Sequence, residues 1–332
     1  MEVDIRLERL PFRAPIRITG YTFVDVPVLI VTLRDGEHVG YGEAAGVYYR
    51  NDSPASMLEQ IEAVRPVLAT GIDRGTLSRL LPPGGARNAL DCALWDLEAK
   101  CLGQPAWEMA GLSSPKPVVT TYTLGADEPE AMAEQARAYA NARAFKLKLT
   151  GDAIDAHRVR QVRAARPDAW IGIDANQGYN LISLQKMMPV FVQAEIALIE
   201  QPVPPAQDPG LPALQSPIPL AADESVLCLA DLPPCIGRFD MINIKLDKCG
   251  GLTEGLAMAN VARRLGFQVM VGNMVGTSLA MAPGFLLAQL CDVVDLDGPL
   301  ALAHDRTPGV VYADGRIWCP ESVWGAAVAE LA

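Results

Sequence analysis

The sequence predicts an α/β protein: a parallel β/α barrel preceded by a smaller α+β module. Three observations carry this reading. Alternating runs that suit antiparallel strands fill residues 1 to about 50, and helical patterns follow. From Val118 onward, strand-like and helix-like runs alternate. Within that alternation three apolar runs end on a carboxylate: Trp170-Ile171-Gly172-Ile173-Asp174, Ala197-Leu198-Ile199-Glu200 and Ile218-Pro219-Leu220-Ala221-Ala222-Asp223. The acids stand 26 and 23 residues apart, close to one βα repeat.

The elements follow in order. Val26 to Leu33 alternates as a strand and runs into the turn Arg34-Asp35-Gly36. Residues 55–68 and 86–102 carry apolar side chains at helical spacing, and Gly103 with Pro105 ends the second helix. Strand 118–124 then alternates with helix 129–140, strand 145–149, helix 153–165, strand 170–174 and helix 181–192. After about Pro299 the period is lost. Trp95, Trp107, Trp170, Trp318 and Trp324 read as core or interface residues.

Composition narrows the function classes. At 332 residues and 50% hydrophobic, the chain exceeds a barrel of about 250 residues and leaves room for a second module. A net charge of −11 argues against nucleic acid or an anionic membrane surface as partner. Apolar runs stop well short of the ~20 residues that span a bilayer, and the acidic start Met1-Glu2-Val3-Asp4 does not read as a signal peptide. The expected compartment is the cytoplasm. Seven scattered cysteines without Cys-x-x-Cys spacing read as reduced thiols.

Carboxylates at the ends of successive parallel strands converge at the C-terminal mouth of a barrel. Three hard oxygen ligands there, Asp174, Glu200 and Asp223, suit Mg2+ or Mn2+. Period-2 alternation in 144–149 puts Lys146 and Lys148 on one strand face, and Lys245 ends the run Met241-Ile242-Asn243-Ile244. The cations then face each other across the metal. That arrangement suits removal of a proton next to a carboxylate, with the ion stabilising the enediolate while a lysine takes the proton. Burial and a neighbouring like charge are expected to lower the lysine pKa. Taken singly, each acid reads as a cap or turn former and Lys-x-Lys as an exposed edge; the joint order and spacing reverse that. Lys248 leads into a helix and reads equally as a loop-fixing residue. Glu224 is open between orienting a catalytic group and capping a helix. His38, His157 and His304 lie away from the acids, which argues against histidine catalysis.

Lys146-x-Lys148, Asp174-Ala175-Asn176, Glu200-Gln201-Pro202, Asp223-Glu224-Ser225 and Ile244-Lys245-x-x-Lys248-x-Gly250-Gly251 resemble the enolase superfamily, in its muconate-lactonizing-enzyme-like subgroup. Residues 84–96 and Asp295-Leu296-Asp297-Gly298 are similar to the dipeptide epimerases that interconvert L-Ala-D-Glu and L-Ala-L-Glu. The resemblance implies a modified TIM (β/α)7β barrel with an N-terminal α+β capping domain. Residues 1–115 would be the cap, 116–300 the barrel, and 301–332 a segment returning to the cap. It implies Lys148 and Lys245 as acid/base catalysts, Lys146 as an electrostatic helper, and Asp174, Glu200 and Asp223 as ligands of Mg2+, with Mn2+ as the alternative. Asp295 and Asp297, read on one face of the last strand, would hold a dipeptide's α-ammonium. The segment 84–96 reads as a structural helix packed on the barrel.

Specificity is expected in two cap loops, residues 17–25 and 46–53. In the resembled epimerases an arginine in the first loop meets the glutamate side chain. Here the loop tip is Gly20-Tyr21-Thr22-Phe23, and Arg50 of the second loop is the substitute. Tyr21 and Phe23 predict that an apolar or small second residue is accepted at least as well as glutamate. An N-acylamino acid racemase, o-succinylbenzoate synthase or cycloisomerase would share the metal and lysines. A Schiff-base barrel aldolase is the alternative from another class, and a non-catalytic binding protein a further one. The expected partner is a small dipeptide, with a homo-oligomer left open.

Overall fold

The computed structural model describes residues 1–327. Three long strands, β1 (Glu2–Ile18), β2 (Tyr21–Asp35) and β3 (His38–Ala44), form an antiparallel sheet in sequence order. Pairing of β1 with β2 slips between Pro11 and Ile16, a stretch whose prolines have no N–H to give the ladder. Leu29, Val31 and Leu33 of β2 pack against three helices, α1 (Pro54–Leu68), α2 (Arg74–Leu80) and α3 (Gly85–Leu102). The contact between β3 and α3 is close enough to require glycine. A Cβ on Gly40 would stand 2.2 Å from the Ala93 carbonyl oxygen, and one on Gly42 2.0 Å from that of Ala89.

After the short β4 (Val118–Val119) the barrel begins. Its strands are β5 (Thr121–Leu124), β6 (Ala144–Lys148), β7 (Trp170–Asp174), β8 (Leu198–Glu200), β9 (Leu220–Ala222), β10 (Met241–Lys245), β11 (Gln268–Gly272) and β12 (Val293–Val294). They lie side by side in sequence order and parallel throughout. Helices 129–138, 155–165, 181–193, 252–264 and 278–288 make five of the crossovers. The crossover at 205–214 is a 3-10 helix, because Pro205, Pro209 and Pro212 remove the donors an α-helix needs. The expected elements recur within a few residues of their predicted ends, except that 118–124 is split at Thr120 between β4 and β5. Among the described residues no helix is long and apolar enough to cross a membrane.

Two contacts fix the cap over the barrel. Helix α3 docks through Arg87, which donates to the Gly250 carbonyl at 3.2 Å and pairs with Glu254, and through Asp91, which accepts from Thr253 Oγ1 at 2.5 Å. The structure thus bears out 84–96 as a helix packed on the barrel. The chain beyond Ala301 runs back to the cap: Ala303 N donates to Pro11 O at 2.8 Å, and Trp324 Nε1 to Tyr41 O at 3.0 Å. Strands β13 (Val311–Ala313) and β14 (Arg316–Trp318) pair with β4. Positions 328–332 of the expected returning segment lie outside the described residues.

Glu43 joins all three parts. Its buried carboxylate accepts from Thr277 N at 2.7 Å, from Thr277 Oγ1 at 2.6 Å and from Arg306 Nη2 at 2.8 Å. Removing one member of a buried, hydrogen-bonded ion pair leaves the partner charge uncompensated. Glu43→Ala is therefore expected to cost about 3 kcal/mol of stability, read as a lower urea midpoint. Glu43→Gln, which keeps an acceptor for Thr277, should cost less.

Candidate active site

The three acids meet at the mouth of the barrel. Asp174 and Glu200 end β7 and β8, Asp223 follows β9, and strand register sets them side by side, with Asp174 paired to Glu200 and Glu200 to Ala221. All three are buried, and each offers a carboxylate oxygen within 4.8 Å of the others. Behind two of them the chain turns sharply through left-handed residues, Asn176 at φ 40° and Gln201 at φ 32°. The Gln201 side chain accepts from the backbone N–H groups of Asp223 at 2.9 Å and Ser225 at 3.1 Å, binding the ends of β8 and β9 together. Asn243 Nδ2 donates to Glu200 Oε1 at 2.6 Å. Sequence reasoning assigned neither Gln201 nor Asn243 a role. Gln201 directly follows the end of β8, and Asn243 stands two residues before Lys245 on the same face of β10; those positions are the signal that could have found them.

The lysines surround the trio. Lys148 Nζ lies 2.6 Å from Asp174 Oδ2, and Lys245 Nζ 2.6 Å from Asp223 Oδ2 and 4.0 Å from Glu200 Oε1. Lys146 reaches Glu200 Oε2 at 3.5 Å and Asp174 Oδ2 at 3.8 Å, and its shortest contact is to Asp295. Lys248 is buried and bonds Asp223 through both its carboxylate, at 2.5 Å, and its carbonyl, at 2.7 Å. It holds the Asp223 side chain in place. The carboxylates around Lys146 and Lys245 act against the fall in pKa that burial and like charge favour. Burial does push Lys146 and Lys245 down, but Asp295 and Glu200 around the first, and Asp223 and Glu200 around the second, raise them above the ordinary lysine range. Burial opposes ionisation of Asp223 as well, yet Lys245 and Lys248 hold it well below the usual carboxylate range.

Asp295 and Asp297 lie just past the end of β12 at Val294 rather than within the strand. They close the seam between the last barrel strand and the first. Asp295 is buried and accepts from Thr121 Oγ1 at 2.6 Å while pairing with Lys146; Asp297 accepts from Thr123 N at 2.6 Å. Leu296 N donates to Thr120 Oγ1 at 3.0 Å. Asp295 is thus satisfied within the protein. Burial and the Asp295 charge push Asp297 up to about 6.

The cap loops cover the mouth from two sides. Thr19 at the tip of the β1–β2 hairpin donates to the carbonyls of Leu149 and Ala175, over the ends of β6 and β7. Ala45 N and Gly46 N both donate to Asp247 Oδ1 at 2.9 Å, which sets the second loop over the end of β10. The loops meet through aromatic rings: Tyr48 packs edge-on against Tyr21 at 4.8 Å and Phe23 at 5.2 Å. Arg50 is exposed at the outer end of this loop. Tyr48 and Tyr49, not singled out from the sequence, face the mouth instead. Burial raises both hydroxyl pKa values, with Lys245 and Asp223 the next influences.

Five buried side-chain polar atoms lack a hydrogen-bond partner among the described residues: Tyr49 OH, Asn176 Oδ1, Glu200 Oε2, Glu224 Oε2 and Asn243 Oδ1. All lie at this mouth. No helix starts directly at Glu224, so it is not a cap. Burial first, then nearby Asp223 and Asp174, push its carboxyl up to about 8; Glu200 is raised to about 7 by burial and Asp174. The mouth gathers six carboxylates, of Asp174, Glu200, Asp223, Glu224, Asp295 and Asp297, against the four lysines 146, 148, 245 and 248. The crowding of these acids, a Glu200 oxygen without a hydrogen-bond partner and all-oxygen donors fit a hard divalent cation.

Comparison with known proteins agrees with this geometry. The family described as "Enolase C-terminal domain-like" matches residues 131–325, and "Mandelate racemase / muconate lactonizing enzyme, N-terminal domain" matches residues 1–111. Over 97% of its length the chain is similar to an enolase family member from Agrobacterium tumefaciens with homology to dipeptide epimerases, solved with sodium and L-Ala-L-Glu. Identity is 42%, the TM-score 0.95, and 99% of that chain is covered. An L-Ala-D/L-Glu epimerase from Escherichia coli is 37% identical, covering 95% of this chain and 98% of its own. An N-acetyl-D-glutamate racemase from a Pseudoalteromonas species is 38% identical, covering 90% and 96%. A dipeptide epimerase from Methylococcus capsulatus, solved with Mg and L-Arg-D-Lys, is 30% identical at a TM-score of 0.90, covering 98% of each chain. The chain belongs to the enolase superfamily, in its mandelate racemase and muconate lactonizing enzyme branch. Within that branch it is an isomerase of the dipeptide epimerase family.

Proposed function

We propose that the protein epimerises a dipeptide at the carbon next to its C-terminal carboxylate, with Lys148 and Lys245 working from opposite faces. The observation that carries this is the placement of the two ammonium groups on either side of one buried acid trio. Strands β6 and β10 stand four apart in an eight-strand ring, so their lysines face each other across it. Asp174, Glu200 and Asp223 would hold Mg2+ or Mn2+, and the ion supplies positive charge where the substrate carboxylate gains electron density. Lys146, held by Asp295, keeps a cation beside the same carboxylate. Lys248 and Asn243 keep Asp223 and Glu200 from turning away. Each lysine takes the proton from one epimer, and the opposite lysine delivers a proton to the other face to form the other epimer. Asp297 is the carboxylate proposed for the dipeptide α-ammonium, since Asp295 is already engaged.

A second reading has an observation in its favour. With Asp295 satisfied by Lys146 and Thr121, only one carboxylate is left for an ammonium, and a relative of 38% identity acts on an N-acetyl amino acid. An N-acyl substrate would need no cation site at all.

Three measurements test these assignments. Exhaustive chelation should abolish turnover and added Mg2+ or Mn2+ should restore it, while Glu200→Gln should lose several orders of magnitude in kcat; full activity after chelation would sink the metal reading. In D2O, Lys245→Ala should lose net epimerisation but still exchange the α-proton of the epimer that faces Lys148. Lys148→Ala should do the converse, and unimpaired epimerisation by either variant refutes the pair. Finally, Asp297→Asn keeps an acceptor for Thr123 N, so it should raise KM for L-Ala-L-Glu at least about 10-fold while the protein stays folded. Efficient turnover of N-acetyl-glutamate with none of the dipeptide would select the second reading.

A further inference from the structure

The Tyr49 hydroxyl is a buried donor without a partner, in a loop held over the Lys245 end of the mouth. Leaving a buried phenol unpaired is costly, so such a group marks a place where something else arrives. What arrives follows from the proposed reaction, on which this inference rests. When the α-carbon becomes planar, its two faces look at Lys148 and Lys245. Its three remaining substituents then lie in the plane between those lysines. The carboxylate takes the direction of the trio on β7, β8 and β9. The nitrogen takes the opposite direction, toward the β12–β5 seam and Asp297. The third substituent is the side chain of the second residue. The floor of the barrel below is packed with apolar side chains, so that side chain runs outward along the barrel axis into the cap. Both epimers share this direction, because only the proton changes face.

The cap elements it meets are the mutually packed rings of Tyr21, Phe23, Tyr48 and Tyr49. Arg50, the cation expected for a glutamate side chain, is exposed and offers no buried charge there. The geometry points to Tyr49 as the specificity residue of this site, its hydroxyl donating to an sp2 oxygen at the end of the second residue's side chain. The ligand class is an acceptor-bearing side chain, a carboxylate as in glutamate or an amide as in glutamine. The phenol remains a donor over the working pH range, since burial keeps it protonated. This assignment replaces Arg50 and departs from the expectation that apolar residues are accepted equally well.

The test is kcat/KM for L-Ala-L-Glu, L-Ala-L-Gln and L-Ala-L-Leu with the wild type, Tyr49→Phe and Arg50→Ala. Phenylalanine fills the same space, so the fold is kept. Wild type should favour the two acceptor-bearing substrates. Tyr49→Phe should cut their preference over L-Ala-L-Leu roughly 10-fold, mainly through KM. A loss confined to glutamate identifies the carboxylate as the acceptor, and equal losses for glutamate and glutamine identify the shared oxygen. A ratio that moves less than twofold in Tyr49→Phe, or that collapses only in Arg50→Ala, overturns the proposal. If wild type turns over none of the dipeptides, the dipeptide reading fails first. The same ratio is then read on N-acetyl-glutamate against N-acetyl-leucine, whose side chains point the same way, and an unchanged ratio there overturns Tyr49 on its own.

Discussion

Three carboxylates buried within 4.8 Å of one another are the constraint on which the rest of this structure depends. Like charges that close repel strongly when water is excluded, and each pays for its own desolvation besides. The protein answers with neighbours that have no other evident reason to be buried. Lys148, Lys245, Lys248 and Lys146 bring cations to the trio, Asn243 gives Glu200 a donor, and Gln201 fastens the loop that carries Asp223. Even so, the mouth keeps two more acids than lysines. A divalent ion would relieve the repulsion that remains among the three acids, so the lysines read as partners of a metal centre rather than substitutes for it.

Much of this was legible in the sequence because strand periodicity and strand ends carry it. In a parallel barrel polar residues at the C-terminal ends of strands gather at the mouth, so Asp174, Glu200, Lys148 and Lys245 announce themselves by position and residue type. The helices were equally open, since their apolar spacing and stops, such as Gly103 at φ 62°, are local properties. The 3-10 crossover at 205–214 was not anticipated, although its prolines were visible; they weaken the helical pattern without naming what replaces it.

What stayed hidden depends on contacts between distant parts of the chain. Asp295 and Asp297 look like a free acidic pair until Thr121 and Thr123, more than 170 residues earlier, are found opposite them. Nothing local distinguishes an acid that waits for a substrate from one that closes a barrel seam. Lys248 was ambiguous for the same reason: its partner Asp223 sits on another strand. The sequence also could not show which carboxylates fold in around Lys146 and Lys245, whose charges oppose the downward push of burial. Arg50 was singled out on charge; burial, which the sequence does not give, separates its exposed side chain from the neighbouring Tyr49 with its buried hydroxyl.

The same crowding of acids bears on why a phenol, rather than a guanidinium, would meet the substrate side chain here. An arginine reaching this part of the mouth would find Asp223 and Glu224 before any ligand arrived, and a bidentate ion pair with either would hold it there. It would also compete with a divalent ion for the oxygens of the trio. A phenol has no charge to be captured in that way, and the nearby acids only strengthen its hold on its proton. It can therefore stay unpaired beside the acids, at the expense of one missing hydrogen bond, until an acceptor enters from the substrate. A neutral donor is the kind of recognition group that an acid-rich, metal-binding mouth can keep available.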